Sequence, residues 1–261
     1  MNTVKIKAKK DKTVPLTLAL SFAVPATVLL ICFAVCDIAP FVDRTLCSMD
    51  GYSQYYPMLM TMTDAVKNGE PFYSWNGALG FNLWAQSGYY TNSPLWLPLY
   101  FIPHAFQLCY INLSILLRLS LAGLFLCFYL IKTHKSISYR KSVLLFPALS
   151  LAWALNGYMT AFMNQIMWTD VVVLLPLVIL GIQYIREEKS PLLYIIALSV
   201  SIASCFYISF MVCIFAVLWF MFLMFREQIT WKERLSCALK FGISSALAGG
   251  MSAVVILPVY K

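Results

Sequence analysis

The sequence predicts an all-α polytopic membrane protein of about seven transmembrane helices, and three observations lead there. Of the 261 residues, 61% are hydrophobic and only 11% are charged, a balance far from that of soluble globular chains. The apolar residues gather in runs long enough to cross a hydrocarbon core of about 30 Å. The basic residues, which leave a net charge of +8, are dealt out in small clusters between those runs and do not form one face. The lipid bilayer is therefore the expected partner, and nucleic acid is not.

Residues 1–13 form a basic N-terminus carrying Lys5, Lys7, Lys9, Lys10 and Lys12. The apolar run 14–36 follows without an A-x-A cleavage site, so it reads as an uncleaved first transmembrane helix. Residues 37–104 make the longest polar-containing stretch. Beyond it, apolar runs cover 105–131, 143–162, 171–185, 191–225 and 235–258. The run 191–225 holds no charge and is too long for one span of about 20 residues. The positive-inside rule decides its shape, because basic clusters at 132–141, 186–189 and 226–240 share the cytoplasmic side with the N-terminus. An even number of crossings must then separate the last two clusters, and 191–225 becomes two short helices joined by a tight outer turn near "SCFYIS" (204–209). Residues 105–261 thus hold six further helices with short loops, and fifteen of the nineteen Lys and Arg fall on the cytoplasmic side. The loop 37–104 lies outside.

Seven of the eight cysteines sit within or at the edges of apolar runs, and no CxxC or His-bearing metal spacing occurs. A disulfide framework and a zinc site are both unexpected. The cytoplasmic loops are too short for a nucleotide-sugar site, and neither G-x-x-x-x-G-K-[ST] nor G-x-G-x-x-G is present. Any reaction falls to the outer loop, where an energy-rich substrate has to arrive attached to a lipid.

Within that loop, "YYPMLMTMTDAVKNG" opens with Pro near a first helical turn and ends with Gly. Tyr55, Met58, Leu59, Met62, Ala65 and Val66 recur at helical spacing, which predicts a short interfacial helix with Thr61, Asp64 and Asn68 turned to water. Asp50 and Gln54 stand at its entry. The stretch "YSWNGALGFNLWAQSGYYTNSPLWLPLYFIP" (73–103) mixes glycines with Trp75, Trp84, Tyr89, Tyr90 and Trp96. It reads either as an aromatic belt with glycines at turns or as a sugar platform, in which rings stack on sugar C–H faces while Asn and Gln bond the hydroxyls. On the second reading Gln54, Tyr55, Trp75, Asn76, Tyr89, Tyr90 and Asn92 bind substrate.

"MDGYSQYYP", "WNGALGFNLWAQSGYYTNSPLWLP", "NQIMWTDVVVLLPLVILGIQYI" and "CFYISFMVCIFAVLWF" resemble, in order and spacing, the bacterial YfhO family of polytopic membrane proteins, classed among glycosyltransferases of the GT-C fold. The resemblance implies a GT-C-like module in the plasma membrane. It also implies a polyprenyl-phosphate-linked sugar donor and a cell-envelope polymer, teichoic or lipoteichoic acid-like, as acceptor. The GT-C pattern places its working carboxylate in the first outer loop, and the matching position is Asp50. Without the resemblance, an Asp in a polar loop beside a Gly is usually a turn residue. Chains of that family are several times longer, so the resemblance further implies that acceptor recognition lies beyond residue 261.

Arg118 interrupts the middle of the second helix, where a charge costs at least about 2.5 kcal/mol and normally faces a polar partner. It binds the donor phosphate or pairs with a neighbouring helix through Asp170. Asp170 either stabilises a helix N-terminus by its negative charge or binds sugar. Some GT-C enzymes use a divalent metal, but no D-x-D pair supports one here, and no cofactor is expected. His104 has no carboxylate partner identifiable in sequence. A non-enzymatic carrier or flippase is the competing class, with Arg118 and Asp170 lining a headgroup route.

Overall fold

The computed structural model describes residues 13–77, 79–134, 139–226 and 229–260. The basic N-terminus to residue 12 and parts of the clusters at 132–141 and 226–240 lie outside the described residues. The described residues are mostly helical, with one two-stranded hairpin among them.

Helix α1, Thr13–Val35, buries Thr17, Ser21, Pro25, Leu29 and Phe33. These positions recur every four residues, a single narrow line along which α1 packs on the helices over 104–133 and 139–154. A polar cap comes next. Its first part is a wide π-type turn, Gly51–Tyr55, running directly into α2, Tyr56–Lys67, with proline in the first helical turn. Strands β1 (Tyr73–Ser74) and β2 (Phe81–Asn82) pair antiparallel, Tyr73 opposite Asn82. Gly80 turns the hairpin at φ +90°, a backbone conformation that glycine adopts without strain. Asn82 then caps α3, Leu83–Tyr90, by accepting from the Ala85 N–H at 2.9 Å. A 3₁₀ segment, Pro94–Tyr100, closes the cap. Helix α2 buries Leu59, Met62 and Thr63 and packs on α3 and the 3₁₀ segment. The predicted interfacial helix is therefore a structural member of the cap.

Helix α4, His104–Thr133, is the longest in the chain at 30 residues. The run expected as one helix over 143–162 is broken into α5, Tyr139–Ala154, and α6, Gly157–Ala161. Asn156 supplies the reason: its side chain accepts from the Met159 N–H at 3.0 Å and donates to the Trp153 carbonyl at 2.8 Å, ending one helix while starting another. Helix α7, Ile166–Arg186, starts five residues ahead of its apolar run. The break expected near 204–209 falls at Cys205, a single extended residue between α8, Leu192–Ser204, and α9, Phe206–Arg226. The Ser201 and Ser209 hydroxyls bond across it at 2.9 Å. The last run divides into α10, Trp231–Met251, and α11, Ala253–Val259, bent by 67°.

Each of the seven expected apolar segments is helical, but they differ in reach. Among the described residues four helices, α1, α4, α7 and α9, are long and apolar enough to cross a membrane, or up to five if α10 and α11 count as one span. Helices α5 and α8, with 16 and 13 residues, extend only about 24 and 20 Å at 1.5 Å per residue, short of a core of about 30 Å. Hydropathy counted these two because a window sees composition and not where a helix stops. Helix α7 is the hub, touching α4, α8, α9 and α10. Its approach to α8 requires Gly181, where a Cβ would lie 2.6 Å from the Tyr194 backbone.

Candidate functional site

The cap is tied to the bundle by the first turns of α4. The fully buried Asn112 accepts from the Leu46 N–H at 3.0 Å and the Thr45 hydroxyl at 3.1 Å, while the Tyr110 hydroxyl donates to the Leu95 carbonyl at 2.5 Å. These bonds hold both ends of the cap on one helix, so side chains far apart in sequence are brought to a common surface.

On that surface Asp50 leads the Gly51–Tyr55 turn. It is exposed, and its side chain caps none of the N–H groups of the turn. The Tyr55 ring behind it is only 6% exposed, and its hydroxyl donates to the Gln165 side-chain oxygen just ahead of α7. The Tyr90 hydroxyl donates to Gln54 Oε1 at 3.4 Å, and its ring lies 5.9 Å from that of Tyr55 and 4.6 Å, edge-on, from that of Tyr89. Tyr89 in turn accepts from Trp168 Nε1 at 3.1 Å and packs against Phe206 and Tyr207 of α9. Asn164 donates to the Ser48 hydroxyl at 3.1 Å, closing the rim.

Electrostatics divide the labour in this cup. Burial, and after it the negative charge of Asp50, pushes the Tyr55 phenol up to about 12. Burial and then Asp50 raise Tyr90 as well. Both phenols stay neutral near pH 7 and serve as hydrogen-bonding groups, which leaves Asp50 as the charged group of the rim. A carboxylate open to solvent beside neutral phenols and an amide can take a proton from an approaching hydroxyl while its neighbours orient the bearer.

Arg118 and Asp170 are placed differently. Arg118 is fully buried, and Nε donates to Asp170 Oδ1 at 2.7 Å while Nη2 reaches Oδ2 at 3.3 Å. In addition Nη1 donates to the Ser114 hydroxyl at 2.7 Å and Nη2 to the Ser93 hydroxyl at 3.2 Å, and the guanidinium stacks 4.2 Å over the Trp96 ring. The pair thus joins the middle of α4 to the first turns of α7 and to the end of the cap. Asp170 meets the guanidinium inside the bundle.

Asn92 donates to the Ser87 hydroxyl at 3.1 Å and secures the end of α3. Trp75 and Asn76 are not part of the Asp50 cup. They line a separate small cavity with Asp64 and Asn68 at the far end of α2. His104 finds there the carboxylate partner that sequence could not show, with Nε2 3.3 Å from Asp64 Oδ1. Gln165 and Trp168 also escaped sequence reasoning, although both stand in the quoted stretch "NQIMWTD"; their signal was the clustering of amides and an indole just before an apolar run. Among the described residues no group of three or more His, Cys, Asp or Glu side chains could hold a metal ion.

A family model described as "Bacterial membrane protein YfhO" matches residues 21–261. The chain is 25% identical over 234 residues to "Uncharacterized protein YfhO" of Bacillus subtilis (strain 168), an alignment that covers 80% of this chain and 26% of that relative. The chain spans about a quarter of the length of that relative. No solved structure matches.

Proposed function

The chain belongs to the YfhO family of bacterial membrane proteins, and from that premise we propose that it moves a sugar from a polyprenyl-phosphate donor to a cell-envelope acceptor, a teichoic or lipoteichoic acid-like polymer, at the extracellular face. The observation that carries this reading is Asp50, an exposed carboxylate on a rim of neutral Tyr55, Tyr90 and Gln54. In the reaction an acceptor hydroxyl attacks the anomeric carbon, the new C–O bond forms as the bond to phosphate oxygen breaks, and the lipid phosphate leaves with the electron pair. Asp50 receives the hydroxyl proton. Tyr89 and Tyr90 offer ring faces to the sugar, and Gln54 bonds its hydroxyls. Arg118 serves the bundle in this reading, since four hydrogen bonds to protein already occupy it. A carrier mechanism would need Arg118 and Asp170 free to meet a headgroup, and their mutual bonding disfavours it.

The test is sugar transfer by the full-length protein in membranes supplied with a polyprenyl-phosphate sugar. Asp50→Asn keeps size and most hydrogen bonding but removes the base, and transfer should drop by about a hundredfold or more; wild-type rates in that variant reject Asp50 as the base. The orientation follows from the distribution of basic residues. Single cysteines at Asn68 and Asn92, in a cysteine-free background, should react with an impermeant maleimide in intact cells, and one at Ser136 should not. The opposite pattern would put the cup on the cytoplasmic side and remove this function.

A further inference from the structure

We infer that the cavity at the C-terminal end of α2 is a second saccharide-binding site, separate from the Asp50 cup and sized for a single sugar ring. The cavity measures about 160 Å³ and its polar wall includes Asp64, Asn68, Glu70, Ser74 and Asn76, with Trp75 as its ring face. That volume is well under the ~300 Å³ where pockets for drug-sized ligands begin, which limits the occupant to one ring of a larger molecule.

The walls come from two elements that sequence alone does not bring together. Asp64 and Asn68 stand four residues apart on one face of α2, and the β1–β2 hairpin lays Ser74, Trp75 and Asn76 against them. Ser74 is buried and its oxygen accepts from the Asn76 N–H at 3.2 Å, which ties Asn76 to the end of β1. Trp75 packs edge-on against Tyr73 with centroids 5.0 Å apart, yet remains 78% exposed. An indole held by one ring contact and otherwise bare is a stacking surface kept open at the cost of exposed apolar area.

The chemistry selects a polyol. Carboxylates of Asp64 and Glu70 accept from sugar hydroxyls, side-chain amides of Asn68 and Asn76 both donate and accept, and the indole face meets the C–H face of the ring. His104 engages one oxygen of Asp64 at 3.3 Å, which orients the carboxylate and leaves the second oxygen for a ligand. A metal is the poorer occupant, because no group of three metal-ligating side chains occurs among the described residues. Along α2 the lining residues Thr61 and Asn68 stand six and thirteen residues beyond Tyr55 of the cup, about 9 and 20 Å at 1.5 Å per residue. Taking the transferase reading of the cup, that spacing suits a polymeric acceptor gripped at one unit and modified at another; saccharide binding itself does not depend on that reading.

The experiment uses the full chain labelled with 5-fluorotryptophan and reconstituted in nanodiscs, with the Trp75 fluorine resonance assigned by its loss in Trp75→Phe. Methyl glycosides of common hexoses and N-acetylhexosamines are the probes. At least one should shift the Trp75 resonance saturably in the wild type and equally in Asp50→Asn. In Asp64→Asn and in Asn76→Ala the apparent affinity should be at least about tenfold weaker, as expected for losing a hydrogen bond to a charged or well-placed polar group. Resonances of the other six tryptophans report whether each variant keeps its fold. A Trp75 signal unmoved by every probe, or shifted alike in Asp64→Asn, Asn76→Ala and wild type, overturns the site. Failure of the cup would appear instead as intact transfer by Asp50→Asn, a separate measurement.

Discussion

In the bundle, Arg118 and Asp170 are buried and bonded to each other, and Arg118 donates to two serine hydroxyls as well. In the cap, Asp50 is exposed, and Asp64 keeps about half its side-chain surface in solvent beside a still more exposed His104. Both regions therefore carry carboxylates, but only one keeps them available. A charge inside a low-dielectric bundle has to be paired in the folded state itself, because burial strips the solvation that would otherwise stabilise it. A charge on the cap is solvated when idle and can exchange water for substrate. The difference teaches which acids to suspect of chemistry and which of architecture.

The sharpest way to break this contrast is to unpair the bundle. Arg118→Met leaves Asp170 buried without its partner and should cost about 3–5 kcal/mol of stability, read as a large fall in the thermal midpoint of the purified protein. Adding Asp170→Asn removes the orphaned charge and should recover part of the loss, a coupling that only contacting residues give. Equal losses in the single and double variants would mean that the pair is not what holds α4 to α7.

A smaller effect comes from the cup, through the phenol beside Asp50. The unfolded Tyr55 ionises near 10 and the folded one near 12, so between those values the folded state holds the extra proton. Stability should be unaffected by this group below about pH 10 and should decline as pH rises toward 12. Tyr55→Phe should flatten that part of the pH–stability curve, and an unchanged slope would place the titrating group elsewhere. The smallest expected effect sharpens the comparison from the other side. Asp50→Asn should alter the thermal midpoint by no more than corresponds to about 0.5 kcal/mol, the usual size for a surface change, even as transfer collapses. A large destabilisation would reclassify Asp50 with the architectural charges.

Much of the fold was legible because membrane insertion is decided locally. A run such as 14–36 must be helical in lipid, since every backbone N–H and C=O has to be satisfied within its own segment. The expected break between 204 and 209 was likewise recoverable, as charge placement on either side of an uncharged run constrains how often the chain crosses. The interruption at Asn156 was harder to see. Its capping role depends on whether its side chain turns back onto Met159, and an Asn among apolar neighbours announces no such choice.

The sequence by itself determined the membrane class, the positions of the apolar helices, the family through four separated stretches, and the presence of an acid among aromatics at 48–56. Tertiary structure alone decided the company each polar residue keeps. It matched Arg118 with Asp170 across 52 positions, gave His104 to Asp64, and set Gln165 and Trp168 behind Tyr55 and Tyr89. It also parted Trp75 and Asn76 from Asp50, although all three stand in one loop of the sequence. The physical reason is the range of the forces involved. Hydropathy acts on each segment through its own contact with lipid, whereas a hydrogen bond or ion pair exists only after helix packing has brought its two ends within about 3 Å.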